Sequence, residues 1–115
     1  MAGDRAVGPV FAALADSHRR QLVETLAARE SATLSQLTVG LPMTRQAVSK
    51  HLAALGSAGL VSSTRRGRET HYRLTPEGLT TVVAWIERVG HEWDQRLAAL
   101  REHLAAAHQA QDRAH

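Results

Sequence analysis

The chain contains no cysteine. That absence excludes disulfides, thiolate metal sites, cysteine nucleophiles and cysteine-based redox sensing together. No apolar run approaches the roughly 20 residues a membrane helix needs, and the N-terminus lacks the apolar core of a signal peptide. A cytoplasmic protein with no membrane partner is therefore expected. No paired acids, no nucleophile beside a base and no glycine-rich phosphate loop occur at a workable spacing, so neither an enzyme nor a cofactor is expected. Lysine occurs once against thirteen arginines, a bias of genome composition.

What is present is ordinary globular composition. The 115 residues are 43% hydrophobic and 22% charged, enough for one small core but near the size at which a partner subunit helps. Residues 1–8 are small and polar and are expected to be flexible, 9–107 form the folded domain, and 108–115 form a second flexible tail.

The stretch from Thr44 to Leu60, TRQAVSKHLAALGSAGL, organises the rest. Thr44 is a good N-cap, because its hydroxyl accepts from the free N–H groups of a first turn. Val48, Leu52 and Leu55 recur at helical spacing and form one apolar stripe, which faces a core. Arg45, Gln46, Ser49, Lys50 and Ala53 fall on the opposite face. Side chains of these polar types read base edges and phosphates in a major groove. Gly59 ends the helix as a left-handed cap, over which Leu60 folds back.

Val61 to Thr75, VSSTRRGRETHYRLT, reads as two short strands around Gly67-Arg68. A glycine first in a two-residue connection favours a type II′ turn, which pairs Arg66 with Glu69, Ser63 with Tyr72 and Val61 with Leu74. The tip then carries Arg65, Arg66 and Arg68. Charged edge hairpins also guard against sheet-to-sheet aggregation, but three arginines beside a polar helix favour a phosphate clamp. Charge partition agrees. Residues 1–43 hold four arginines and four acids; residues 44–75 hold six cations against Glu69, net +5; residues 76–115 hold four arginines against six acids, net −2. The excess sits in the candidate reading unit, as an electrostatic footprint on double-stranded DNA requires.

The remaining helices follow from their caps. Pro9 to Ala15 predicts a first short helix with Val10, Phe11 and Leu14, and Asp16 caps a second through Ala28 with Leu22, Val23 and Leu26 inward. Arg19 and Arg20 have phosphate contact as one use but are read as a solvated face, and Glu30 to Ala32 as a turn. Thr33 or Ser35 caps a third helix with Leu34, Leu37 and Leu41 as its buried side, and Gly40 and Pro42 stop it. With the Thr44 helix it makes a helix-turn-helix, winged by the hairpin. Thr75-Pro76-Glu77 opens a last helix, running to about Ala107, with threonine at the N-cap and proline at its first position. Val82, Ile86, Val89, Trp93, Leu97, Leu100 and Leu104 make a stripe along it, and Trp85 adds a large apolar surface. That stripe is too long for a small domain to cover, so a homodimer is expected. Its interface residues would be Val10, Phe11, Leu14, Trp85, Ile86, Val89, Trp93, Leu97 and Leu100. The fold class is thus mainly α with a small β-hairpin: a winged helix-turn-helix that dimerises through terminal helices.

VSKHLAALGSAGLV, GRETHYRLTP and ALADSHRRQLVETL together resemble the ArsR family of bacterial winged-helix repressors, over about residues 9–100. The resemblance implies a homodimer with a three-helix core, a two-stranded wing and a terminal helix that pairs protomers. It also implies a repressor of its own operon acting on an imperfect inverted repeat. Metal-sensing members carry a Cys-Val-Cys-Asp-Leu box, matched here by Thr33-Leu34-Ser35-Gln36-Leu37 with both thiolates missing. The family's zinc-sensing positions match Pro76, Gly78, Val89 and Glu92, of which only Glu92 can bind metal. Four ligands cannot be assembled from them. His91, Asp94, His103 and His108 on the last helix are read as surface scatter, and no metal site is expected. His51, on the reading helix, is placed among the DNA contacts with Thr44 and the residues above, although it and His71 have the alternative of hydrogen bonding within the domain.

A dimeric sequence-specific repressor is the leading expectation, with Arg45, Gln46, Ser49 and Lys50 in the major groove and Arg65, Arg66 and Arg68 on flanking phosphate or minor groove. The competing expectation is a winged-helix interaction module that offers the same surface to an acidic protein. A small-molecule or protein inducer stays open.

Overall fold

The computed structural model describes the backbone of Ala2–Ala114 and the side chains from Val7 to Arg113. Met1 and His115, and with them part of both expected flexible ends, lie outside the described residues.

Helix α1 (Ala2–Leu14) holds Pro9 in its interior rather than at its first position. The turn before Pro9 carries Val7, 5% exposed, an apolar anchor that one isolated residue does not announce in a sequence. Helix α2 (Ser17–Ala27) starts where Asp16 accepts from the N–H groups of His18 and Arg19, at 2.8 and 3.2 Å. Two of the four orphan donors of a helix start are thereby satisfied. Leu22 and Leu26 are fully buried.

Strand β1 (Ala32–Thr33) stands where the sequence reads as a turn. Two residues are too few to display a period of two, and what places them is Ala32, completely buried opposite Tyr72. Helix α3 (Leu34–Thr38) opens with a reciprocal capping box, Gln36 N–H to Thr33 Oγ1 at 3.2 Å and Thr33 N–H to Gln36 Oε1 at 2.9 Å. It ends earlier than the leucine spacing suggests, because Val39 turns extended and Gly40 takes a positive φ of 82°.

Helix α4 (Arg45–Ser57) begins with Thr44 Oγ1 accepting from Ala47 N–H at 3.1 Å. Its end is a Schellman closure: Leu60 N–H bonds Leu55 O at 2.9 Å and Gly59 N–H bonds Gly56 O at 3.0 Å, with Gly59 at φ 80°. That geometry satisfies the last carbonyls and sends Leu60 back into the core. Val48, Leu52, Leu55 and Leu60 are each at most 2% exposed. Burying side chains of this size stabilises by about 1.5–3 kcal/mol apiece.

Strands β2 (Val61–Arg66) and β3 (Glu69–Leu74) pair antiparallel in the register expected, Val61 with Leu74, Ser63 with Tyr72 and Arg66 with Glu69. Gly67 has φ 63° and no non-glycine residue among those described has a positive φ, which fits a type II′ turn. The wing differs from a two-stranded hairpin in that β1 adds to β3, giving the order β1-β3-β2.

Helix α5 (Pro76–Ala114) is seven residues longer than expected, ending at Ala114 instead of Ala107. Thr75 donates its N–H to Leu60 O at 2.8 Å and so closes the base of the wing, but its hydroxyl is buried without a hydrogen-bond partner. The expected capping bond is therefore not made. Gly78 sits against the Gly59 carbonyl, so close that a Cβ there would lie 2.9 Å from that oxygen.

The chain divides into two compact units, Met1–Val83 and Ala84–His115. The first holds the core, built by Val10, Ala13, Leu22, Leu26, Leu37 and their neighbours on α4 and the sheet. The second is the remainder of α5. No helix among the described residues is long and apolar enough to cross a membrane.

Candidate nucleic-acid interface

Because Val48, Leu52 and Leu55 fix the inward face of α4, the rotation of the helix is set and its other face must meet solvent. Arg45, Gln46, Lys50 and Ala53 are exposed there, and Ser49 is half-buried. Thr44, Gln46, Ala47, Ser49 and Lys50 line one shallow open depression. Thr44 spends its hydroxyl on the cap. Arg45 reaches back to α3, its Nη1–H donating to Ser35 Oγ at 2.8 Å, so that it also ties the two helices of the motif together.

The wing places its arginines at the turn. Arg65, Arg66 and Arg68 are all exposed. Arg65 Nε–H donates to the Gly67 carbonyl at 3.3 Å, which braces the tip. Glu69, opposite Arg66 in the register, has the His71 ring nitrogen 3.5 Å from its carboxylate. Arg68 and Arg45 line one concavity with Ser35 and Glu69, so the start of α4 and the wing turn share a surface. A second concavity, lined by Ser49, Ala53, Gly56, Ser62 and Ser63, separates α4 from the wing strands. The surface offers guanidinium forks, an ammonium and an amide with no bulky apolar group between them. This is chemistry suited to phosphate and base edges.

His51 is half-buried and points elsewhere: its Nδ1 accepts from Arg19 Nε–H at 3.2 Å. Of the two uses left open for His51, hydrogen bonding inside the domain is the one present. Arg19 is thereby a link from α2 to α4 and not a solvated charge. Arg20 likewise donates to the Leu14 and Ala15 carbonyls at 2.6 and 3.0 Å, closing the C-terminal end of α1. Neither role leaves a local signal, since the partners lie in other elements.

The apolar residues expected at a dimer interface divide. Val10, 1% exposed, lies in the core of its own unit and presents no surface; Leu14 packs against that core, and Trp85 and Leu97 are half-buried. Phe11 is 41% exposed, and Ile86, Val89, Trp93 and Leu100 are between 40% and 59% exposed.

A helix-turn-helix domain family model matches residues 14–64. Over 85 residues the chain is 40% identical to the uncharacterized HTH-type transcriptional regulator YuzN of Bacillus subtilis, which covers 68% of this chain and 92% of that protein. An ArsR-like transcriptional regulator from Rhodococcus sp. RHA1 superimposes with a TM-score of 0.79 at 39% identity, over 89% of this chain and 95% of the other. The homodimeric winged helix-turn-helix DNA-binding domain of Mb0332 from Mycobacterium bovis, a possible ArsR-family regulator, gives a TM-score of 0.61 at 30% identity, over 76% and 81% of the two chains. Likeness of sequence over most of the relatives' length, joined to the cap-to-wing architecture above, means that this chain belongs to the ArsR family of winged helix-turn-helix transcriptional regulators.

Proposed function

We propose that the protein is a dimeric, sequence-specific repressor that works in the cytoplasm on an imperfect inverted repeat, and that it acts by binding and not by catalysis. The observation that carries this reading is the shared surface of α4 and the wing turn, where Arg45 and Arg68 line one concavity within the stretch of net charge +5. Gln46, Ser49 and Lys50 read base edges with Arg45, while Arg65, Arg66 and Arg68 hold flanking phosphate or minor groove. The homodimeric state of the Mycobacterium bovis relative supports pairing of two copies. A twofold pair of such units reads half-sites about one helical turn apart or a multiple of it.

Fluorescence anisotropy with labelled DNA from upstream of the gene, against scrambled DNA over a salt series, tests the proposal. The expected outcome is a preference of roughly 10³ or more with a steep negative salt slope. Equal binding to every fragment in a genome-wide selection would overturn it and leave an acidic protein as the partner of this surface.

A further inference from the structure

Asp16, His18 and His51 converge where the start of α2 meets α4. One ligand atom from each lies within 4.8 Å of the other two, and no other group of three such side chains among the described residues does this. His18 Nδ1 is 3.7 Å from Asp16 Oδ1, and the two imidazole rings are 5.9 Å apart at an interplanar angle of 35°. Ligand atoms around a tetrahedral ion with bonds of about 2.0–2.2 Å stand roughly 3.3–3.6 Å apart. The Asp16–His18 pair is already near that spacing, and the two side chains, 38% and 43% exposed, have room to close the rest.

The donor set is two imidazoles and a carboxylate. Asp16 is fixed by the two backbone N–H groups it accepts, chiefly that of Arg19, which hold its carboxyl below the ordinary aspartate range and keep it ionised. Both cap bonds land on Oδ1, so Oδ2, which takes neither of them and has two acceptor positions of its own, is the oxygen that meets an ion once the carboxylate turns toward His18. Nitrogen and oxygen donors without thiolate suit zinc, cobalt or nickel.

His51 supplies the constraint. Its Nδ1 lone pair is held by Arg19 Nε–H, which puts the ring proton on Nε2. An ion on Nδ1 takes the place of Arg19; an ion on Nε2 moves the ring proton to Nδ1, where it opposes the Arg19 donor. Either way the Arg19 bond must break. We propose that Asp16, His18 and His51 bind one divalent transition-metal ion per protomer, with water completing its shell, and that the ion replaces the Arg19–His51 hydrogen bond as the link between α2 and α4.

The test is titration of the chelator-stripped full chain with Co(II), read by its visible d–d absorption, followed by displacement with Zn(II), all without DNA. One ion per protomer is expected. Asp16→Asn keeps the cap, because asparagine caps as well as aspartate, and with His18→Ala it should weaken binding by no less than the roughly 10–100-fold that losing an outer-shell partner costs a metal site. Arg19→Leu removes the competing donor and should tighten binding by roughly two- to tenfold, a gain that loss of a purely structural bond would not produce. His91→Ala, His103→Ala and His108→Ala on α5 should change nothing. Binding no tighter than about 1 mM, or binding untouched by Asp16→Asn and His18→Ala, overturns the site. Neither outcome bears on DNA binding, which is measured separately.

Discussion

Gln46 and Arg68 stand for two kinds of work that single side chains do on DNA. Gln46 is exposed on α4 with an amide that matches an adenine edge. Arg68 is a cation at the wing turn, exposed beside Gly67. Gln46→Ala should cost about 1–3 kcal/mol on the operator and relax one position, whereas Arg68→Ala should weaken all sequences alike and lower the salt slope by about 1. Anisotropy against an operator and its single-base variants checks both; equal losses on operator and random DNA would refute the division of labour. Asp16 carries a pH signature of its own. The Arg19 N–H first, then the His18 N–H, outweigh burial and depress its carboxyl below 3.8. A depressed folded value means that the ionised cap adds stability above the ordinary aspartate range and loses it as pH falls through the folded value. Urea midpoints between about pH 6 and pH 3 should therefore fall more for the native chain than for Asp16→Asn. Parallel slopes would remove the cap from the explanation.

Single elements show what a sequence displays and what it hides. The Thr44 cap, the Val48-Leu52-Leu55 stripe, the Gly59 closure and the Gly67 turn are all local, so α4 and the wing register are legible in the sequence. Strand β1 was not legible, because two residues have no period and Ala32 owes its place to burial opposite Tyr72. The Arg19–His51 and Arg20–Leu14 bonds depend on neighbours brought in by the fold, which is why both arginines read as solvated. Gly78 is a further case. Nothing in the sequence marks it, yet a Cβ there would meet the Gly59 carbonyl and Leu60 Cδ2, each at 2.9 Å. The oxygen belongs to the Schellman turn and cannot swing aside as a side chain end would, so α5 must shift off the end of α4. Gly78→Ala should cost about 1–3 kcal/mol, seen as a lower urea midpoint; an unchanged midpoint would mean that the start of α5 yields freely.

On the scale of the whole molecule, the proposed pairing of two copies would give the apolar surface of α5 a partner. Within the second unit, Ile86, Val89, Trp93, Leu100 and Leu104 of α5 are each at least 40% exposed. Exposed apolar groups in such a row are an interface signature. Val10 takes no part in that row, being enclosed in its own unit. Trp93 and Leu100 lie two helical turns apart on the row and contribute nothing to the core of the first unit, so Trp93→Glu with Leu100→Glu should leave that unit folded while placing charge where the proposed partner packs. If two copies pair as proposed, sedimentation should give a dimer for the native chain and a monomer for the double variant; a native chain that sediments as a monomer would refute the pairing. Pairing matters for function because two reading units joined as one body bind two half-sites with a second step that is intramolecular. That linkage adds roughly 10²–10⁴ in affinity without any new contact. The double variant should lose a factor of this order on the full inverted repeat, while its affinity for an isolated half-site stays that of the native chain. A monomer that still bound the full repeat at native strength would show that each protomer reads the operator alone.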